Sequence, residues 1–315
     1  VVKITSFSLL NLYFSNMKQL KIFTIIIFLF TPLFVFSYQS NFSKSDSILN
    51  QKYKNRYAFY KKKKLYNESI LYTDSIISLF KKYKKRKELA KAYSRLGFLY
   101  FSDKRFEKSY LATNKALKIS ISLKDSFNSS KRLLSLAKIE SRFELYYKSD
   151  STAIEALNYL KGRNNKTTSS LYNCLGINAR NQGKYEEAKR WYAKAVNSTK
   201  DSIRKIRYIS NLAVYYKYIK EYEKSIDLYK TIFKNNYYDS IGLQLKAKII
   251  DNYSYTRFLK GENIDEKDFL VAQNLKKQLH DKRGLITNYD YLSDFYIDKN
   301  KKKALEYVLK MYNLS

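Results

Sequence analysis

Small and apolar residues recur three or four apart through Ser169–Lys200, SSLYNCLGINARNQGKYEEAKRWYAKAVNSTK, with polar residues between them. Tyr172, Leu175, Gly176 and Ala179 share one face of a predicted helix. Gly183 supplies the break, because glycine tolerates left-handed dihedrals. Ala188, Tyr192 and Ala195 repeat the spacing on a second helix. Gly176 and Ala188 are small where two helices must approach, and Tyr192 fills the space between layers. The small or compact position of each first helix then marks a period: Tyr57, Gly97, Ala137, Gly176, Ala213, Ser254 and Ser293 are separated by 40, 40, 39, 37, 41 and 39 residues. Self-similarity at that distance predicts stacked helical hairpins, each burying its apolar face on the next.

Seven hairpins follow. The first, about 47–81, has Tyr53, Tyr57 and Tyr60 on one helix and Ser69, Thr73 and Ile76 on the other, with Lys61–Lys64 at the turn. The second is sharper, with Tyr93, Leu96, Gly97 and Tyr100 before Phe106, Ser109 and Ala116. The third has Leu133, Leu136 and Ala137, then Ala153, Leu157 and Leu160, and its spacing predicts a long middle around Tyr146–Ser151. The fifth has Leu212, Ala213 and Tyr216 before Tyr222, Ser225, Tyr229 and Ile232. The sixth turns at Gly261 into a divergent second helix over about 265–279. The seventh pairs Leu292, Ser293 and Tyr296 with Ala304, Tyr307 and Val308. Leu305, Val308, Leu309 and Tyr312 on its second helix have no following hairpin, which suits self-association or a longer chain.

The fourth hairpin resembles a tetratricopeptide repeat, whose pattern runs W-x2-L-G-x2-Y…A-x3-F…P. Tyr172 stands for the Trp, Ala179 for the first Tyr and Tyr192 for the Phe; the closing Pro is absent. The signature positions across the array are Leu96, Gly97 and Tyr100; Leu175, Gly176, Ala188, Tyr192 and Ala195; and Leu212, Ala213, Tyr216, Ser225 and Tyr229. The resemblance implies an all-α, right-handed α-solenoid of about seven helix-turn-helix repeats over 38–315. It also implies a concave binding face built from first helices. On that face the pattern places Arg95, Phe98, Asn173, Ile177, Arg180, Arg207, Asn211, Val214, Tyr218, Asn252 and Tyr255. Grooves of this family grip a peptide's backbone or carboxylate with Asn and Lys or Arg, so Arg207, Asn211 and Asn252 are expected to grip, Arg180 to add charge, and Phe98, Val214 and Tyr218 to make apolar contacts.

Seven Gly and one Pro in 315 residues fit long helices. The charge changes the picture more. There are 61 Lys and Arg against 28 Asp and Glu, a net of +33, which suits an acidic partner or an anionic surface. Frequent Lys, Asn, Ile, Tyr and Phe also fit an AT-rich genome, with many lysines on solvated faces. Met17 opens MKQLKIFTIIIFLFTPLFVFSYQS. Lys18 and Lys21 form a positive region, 22–36 carries no charge, and Val35-Phe36-Ser37 suits cleavage after Ser37. Residues 17–37 therefore read as a secretory signal peptide, too short for a span of ~20 residues, with 1–16 as a non-native or unstructured leader. The array is then exported, periplasmic if cleaved and membrane-anchored if not.

No catalytic constellation is present. His280 is the only histidine and Cys174 the only cysteine, which excludes a His pair for zinc and an intramolecular disulfide. No phosphate-binding glycine loop or nucleophile elbow occurs. Glu186-Glu187 and Asp265-Glu266 sit in first turns, where they complement the helix dipole. No cofactor or metal is expected. The 32 Tyr and 19 Phe, interleaved with Lys as in Tyr215-Tyr216-Lys217-Tyr218, could stack bases, but they serve equally as repeat core, and no specific nucleic acid is expected. The functional expectation is a non-enzymatic scaffold for a protein or peptide. The alternative is the truncated periplasmic sensor region of a membrane-bound regulator of the histidine kinase or helix-turn-helix type.

Overall fold

The computed structural model describes residues 43–163 and 165–314. The leader 1–16 and the signal peptide 17–37 lie outside the described residues. Among the described residues the secondary structure is entirely helical, with fourteen α-helices and one short 3-10 turn. The chain divides into two compact units that meet in sequence at Asp103 and Lys104.

The first unit contains α1 (Lys44–Lys62), α2 (Tyr66–Lys82) and α3 (Arg86–Ser102). Each packs on the next, over a core that includes Ile76, Ile77, Phe80, Ala92 and Leu99. The second unit holds α4 (Phe106–Ser122), α5 (Ser126–Arg142), α6 (Tyr146–Leu160), α7 (Lys166–Asn181), α8 (Tyr185–Asn197), α9 (Ser202–Tyr218) and α10 (Tyr222–Phe233). It continues with α11 (Leu243–Leu259), α12 (Lys267–Gln278), α13 (Lys282–Tyr296) and α14 (Lys301–Tyr312). Successive helices pack antiparallel as a helical-repeat solenoid.

The turns explain why helices recur so evenly. Lys64, Lys84, Lys104, Lys124 and Glu144 all have positive φ and stand twenty residues apart. Gly183, Lys220, Gly261 and His280 also have positive φ further on, at wider and less even spacing. The following amide then reaches back five residues, as in Asp125 N to Ser120 O at 3.0 Å and Lys184 N to Ala179 O at 2.9 Å. This is the Schellman closure, which satisfies carbonyls left over at a helix C-terminus. His280 thus occupies a left-handed turn position between α12 and α13, just after the end of α12. On the N-terminal side, Asp125, Asp201 and Asp281 cap α5, α9 and α13 through their carboxylates, and Asn165 forms a capping box with Thr168 on α7.

Within a hairpin, small residues set the spacing. An added Cβ on Gly176 would sit 2.8 Å from Cδ1 and Cε1 of Tyr192, so the glycine exists to seat that buried ring. Ser149 Oγ donates to Ala137 O at 2.7 Å, and Ser225 Oγ donates to Ala213 O at 2.8 Å. Ala188 takes the corresponding place in the fourth hairpin and is buried. Leu96, Gly97, Leu175, Ala195, Ala213 and Tyr229 are buried as the repeat pattern requires, and Tyr100, Leu212 and Tyr216 are half-buried. The expected long middle at Tyr146–Ser151 is instead the start of α6. Ser149 occupies a core position there, so apolar periodicity alone passes over the first turns. Leu305, Leu309 and Tyr312 on α14 are exposed. No helix of the described residues is long and apolar enough to cross a membrane.

Candidate functional site

In the second unit α5 touches α7, α7 touches α9, α9 touches α11, and α11 touches α13. The intervening helices α6, α8, α10 and α12 make no comparable contacts with one another. First helices drawn together while second helices splay apart form the inner wall of a curved array. This wall is the candidate site.

The polar residues on it are organised by amide ladders. Asn211 Nδ2 donates to Asn173 Oδ1 at 2.8 Å, joining α9 to α7. Lys248 Nζ donates to Asn211 Oδ1 at 2.9 Å, joining α11 to α9. Lys217 Nζ donates to Asn252 Oδ1 at 3.1 Å and to Tyr291 Oη at 2.8 Å, extending the chain to α13. Asn173, Asn211 and Asn252 are therefore buried spacers between helices, held by each other and by lysines. Val214, expected as an open apolar contact, is 5% exposed and packs in the core. Ile177, Arg180 and Tyr255 are half-buried, Arg207 is accessible, and Tyr218 is 56% exposed. Arg95 and Phe98 belong to the first unit. There Arg95 lies 5.7 Å from the Tyr57 ring and Lys61 lies 4.8 Å from the exposed Phe98 ring.

Two local arrangements stand out on the wall. The first is Lys217, whose ammonium lies 5.0 Å from the Tyr255 ring and 4.7 Å from the Tyr291 ring. Those rings stack with centroids 3.8 Å apart. Burial pushes the Lys217 ammonium down to about 8. The second is a run of cations. Arg180 lies over the Tyr218 ring at 5.2 Å. Lys248 is accessible, yet the surrounding walls and the positive charges of Arg180, Arg207 and Arg142 push it down to about 8. Lys138 and Arg142 are accessible too, yet desolvation by the packed wall lowers both, helped by Arg207 and Arg204 at Lys138 and by Arg283 at Arg142. The wall turns acidic at α13, where burial and Asp294 raise the Asp290 carboxyl.

The repeat pattern reaches Arg180, Arg207, Tyr218 and Tyr255 but misses Lys138, Arg142, Lys217 and Lys248. Lys138 directly follows the marker Ala137, as Phe98, Ile177, Val214 and Tyr255 follow theirs, so its column was visible in the sequence. Among the described residues no group of three or more His, Cys, Asp or Glu could hold a metal ion. Cys174 is buried, and desolvation raises its thiol to about 11, which suppresses thiolate chemistry. An open depression of about 480 Å³ beside Asn263 and Lys299 includes Glu266, which Lys303 and Tyr307 already occupy.

The tetratricopeptide repeat profile matches residues 168–201, the α7–α8 hairpin. Comparison with curated proteins gave no match. Among solved structures, the apo form of RapI is similar over 84% of this chain and 97% of its own, at 14% identity and a TM-score of 0.69. A Rap protein complexed with competence and sporulation factor is similar over 83% of this chain and 73% of its own, at 14% identity and a TM-score of 0.67. The Rap conjugation gene regulator of plasmid pLS20, in complex with the Phr* peptide, covers 82% and 71%, at 14% identity and a TM-score of 0.62. At these identities the likeness is one of fold.

Proposed function

We propose that this chain, a tetratricopeptide-repeat protein by its 168–201 hairpin and by its fold, is a non-enzymatic scaffold that holds a peptide or protein against the inner wall of its second unit. The observation that carries this reading is the wall itself. Five first helices touch in sequence, and the amide ladders lock their spacing. Between the locked positions, Arg207, Lys248 and Tyr218 remain accessible. A preformed wall with a few free polar and aromatic groups suits ligand binding, because little side-chain ordering remains to oppose it. Two of the fold relatives were solved with a factor or a peptide bound, and the proposal extends that mode to this chain. The signal-peptide architecture of 17–37 supports export of the scaffold across the inner membrane to the periplasm.

The test is selection of peptides by the full chain from a displayed library, followed by affinity measurement on Tyr218→Ala and Arg207→Ala. Tyr and Arg are the residue types that most often dominate such interfaces. Loss of about tenfold or more in at least one variant is expected. Selected peptides that bind both variants with unchanged affinity would place the ligand elsewhere.

A further inference from the structure

Where α1 gives way to α2 the chain reads Lys61-Lys62-Lys63-Lys64-Leu65, four cations in a row and then a leucine. The backbone of this turn is fixed. Lys64 has a φ of 58°, Lys64 N donates to Lys61 O at 3.1 Å, and Leu65 N donates to Tyr60 O at 3.0 Å. All four lysines are exposed, held together at one end of the first unit. Three large apolar side chains are exposed around them: Phe59 at 49%, Leu65 at 41% and Phe98 of α3 at 51%. Lys63 Nζ lies 4.6 Å from the Phe59 ring and Lys61 Nζ 4.8 Å from the Phe98 ring, so charge and apolar surface are interleaved. The opposite end of the unit shows that charge alone does not bring this about. The turn between α2 and α3 carries Lys81, Lys82, Lys84, Lys85, Arg86 and Lys87. Yet Phe80 there is buried and Tyr83 half-buried, and Asp46 lies 3.7 Å from Lys82.

We propose that the α1–α2 end of the first unit docks on an anionic lipid bilayer, with its four lysines against headgroup phosphates and Phe59, Leu65 and Phe98 in the interfacial layer. The peptide wall of the second unit plays no part in this. At a bilayer surface the two halves of the turn are served at once. The rings and the leucine leave water, while the lysine stems reach back to keep their ammonium groups among the phosphates. A lysine near an anionic leaflet contributes about fivefold to partitioning, so four contribute roughly several hundredfold, and salt screens that share. A lipid surface also adapts to a hairpin end, whereas a protein partner needs a matched patch of about 800 Å² on each side. A single-stranded nucleic acid would stack on the two rings but gain nothing from Leu65. The signal-peptide architecture of 17–37 supports a meeting with a membrane.

The experiment uses the full chain with a polarity-sensitive dye on Ala58→Cys, an exposed position beside Phe59. The native thiol, Cys174, is buried and stays unlabelled. The dye reads whether this end meets lipid, whichever other part of the chain is bound. Vesicles of phosphatidylglycerol with phosphatidylcholine should shift its emission to the blue, and phosphatidylcholine alone should need at least tenfold more lipid. Lys61→Gln, Lys62→Gln, Lys63→Gln and Lys64→Gln together should raise the lipid requirement tenfold or more, and so should Phe59→Ser with Phe98→Ser. Lys81→Gln, Lys82→Gln, Lys84→Gln and Lys85→Gln remove the same charge from the opposite end and should leave it unchanged. Circular dichroism of each variant confirms that the helices remain. Equal weakening by the two lysine sets would reduce the effect to overall charge and overturn docking by this end. A shift that survives both phenylalanine changes would overturn the apolar contact. Inorganic phosphate that abolishes the shift where chloride of equal ionic strength does not would assign the turn to free phosphate. A dye left in water at saturating lipid would overturn the proposal outright, and in favour of nucleic acid if an oligothymidylate shifts it instead.

Discussion

Replacing Gly176 by Ala tests the packing that sets the hairpin geometry. On helix propensity alone the change should stabilise α7 by about 1 kcal/mol. The structure predicts the opposite sign. The new Cβ would lie 2.8 Å from two ring carbons of Tyr192 and 3.2 Å from a third. Tyr192 has no room to yield, since its side chain is wholly buried and lies 6.3 Å from the Tyr215 ring across the next hairpin. Overpacking of this kind costs about 1–3 kcal/mol, so the net loss, set against the propensity gain, is about 1 kcal/mol and reaches 2 if the ring must leave its rotamer. For a unit of this size that lowers the melting temperature by roughly 2–8 °C. The assay is urea and thermal unfolding by circular dichroism. Tyr192→Phe should not rescue the variant, because the contacts are with the ring and not the hydroxyl, whereas Tyr192→Leu in the Gly176→Ala background should recover part of the loss. A Gly176→Ala protein more stable than the wild type would refute the seating of Tyr192 against Gly176.

Three further outcomes follow from the same coordinates. The Lys217 ammonium is held near 8 by burial, below its unfolded value. Between pH 8 and 9.5 the unfolded chain then binds more protons, so wild type gains about 1.5 kcal/mol on Lys217→Met across that window, read from paired urea titrations; parallel pH dependence of the two proteins would contradict it. Lys124 holds a left-handed φ of 53° on an exposed turn, so Lys124→Gly should stabilise by about 0.5 kcal/mol, the relief of strain slightly outweighing the looser unfolded chain, and a loss of stability there would count against the turn geometry. Asp251→Ala strands the buried Lys276 and removes one of the acceptors of Asn288 and should cost about 3–5 kcal/mol, much of it recovered in Asp251→Ala with Lys276→Met; a double variant as unstable as the single one would argue against the pairing.

The repeat was legible because small residues and tyrosines recur at sites where helices touch. Gly97, Ala137, Gly176 and Ala213 fall at these close approaches, and Gly183 and Gly261 at left-handed turns. The twenty-residue rhythm of the turns was hidden, since Lys64, Lys84, Lys104 and Lys124 carry the left-handed conformation that sequence patterns assign to Gly or Asn. The first turns of α6 were hidden for a related reason: Ser149 replaces an apolar residue by a hydrogen bond to a carbonyl. On the candidate wall, the direction of Arg180, Arg207 and Tyr218 followed from helical spacing. The burial of Asn173, Asn211 and Asn252 did not, because an amide can face a ligand or a neighbouring amide, and only the helix packing decides between them. The cationic run was obscured by the general excess of lysine. What distinguishes Lys138 and Lys248 is their place on first helices that touch their neighbours, a property of three dimensions.

The central claim is that a ligand lies on the inner wall of the second unit, and hydrogen–deuterium exchange of the full chain with and without a library-selected peptide tests it most directly. Added protection should concentrate on α7, α9 and α11, with α8, α10 and α14 little changed. Protection confined to α14 or to the outer helices, with α9 and α11 exchanging as in the free protein, would contradict the account.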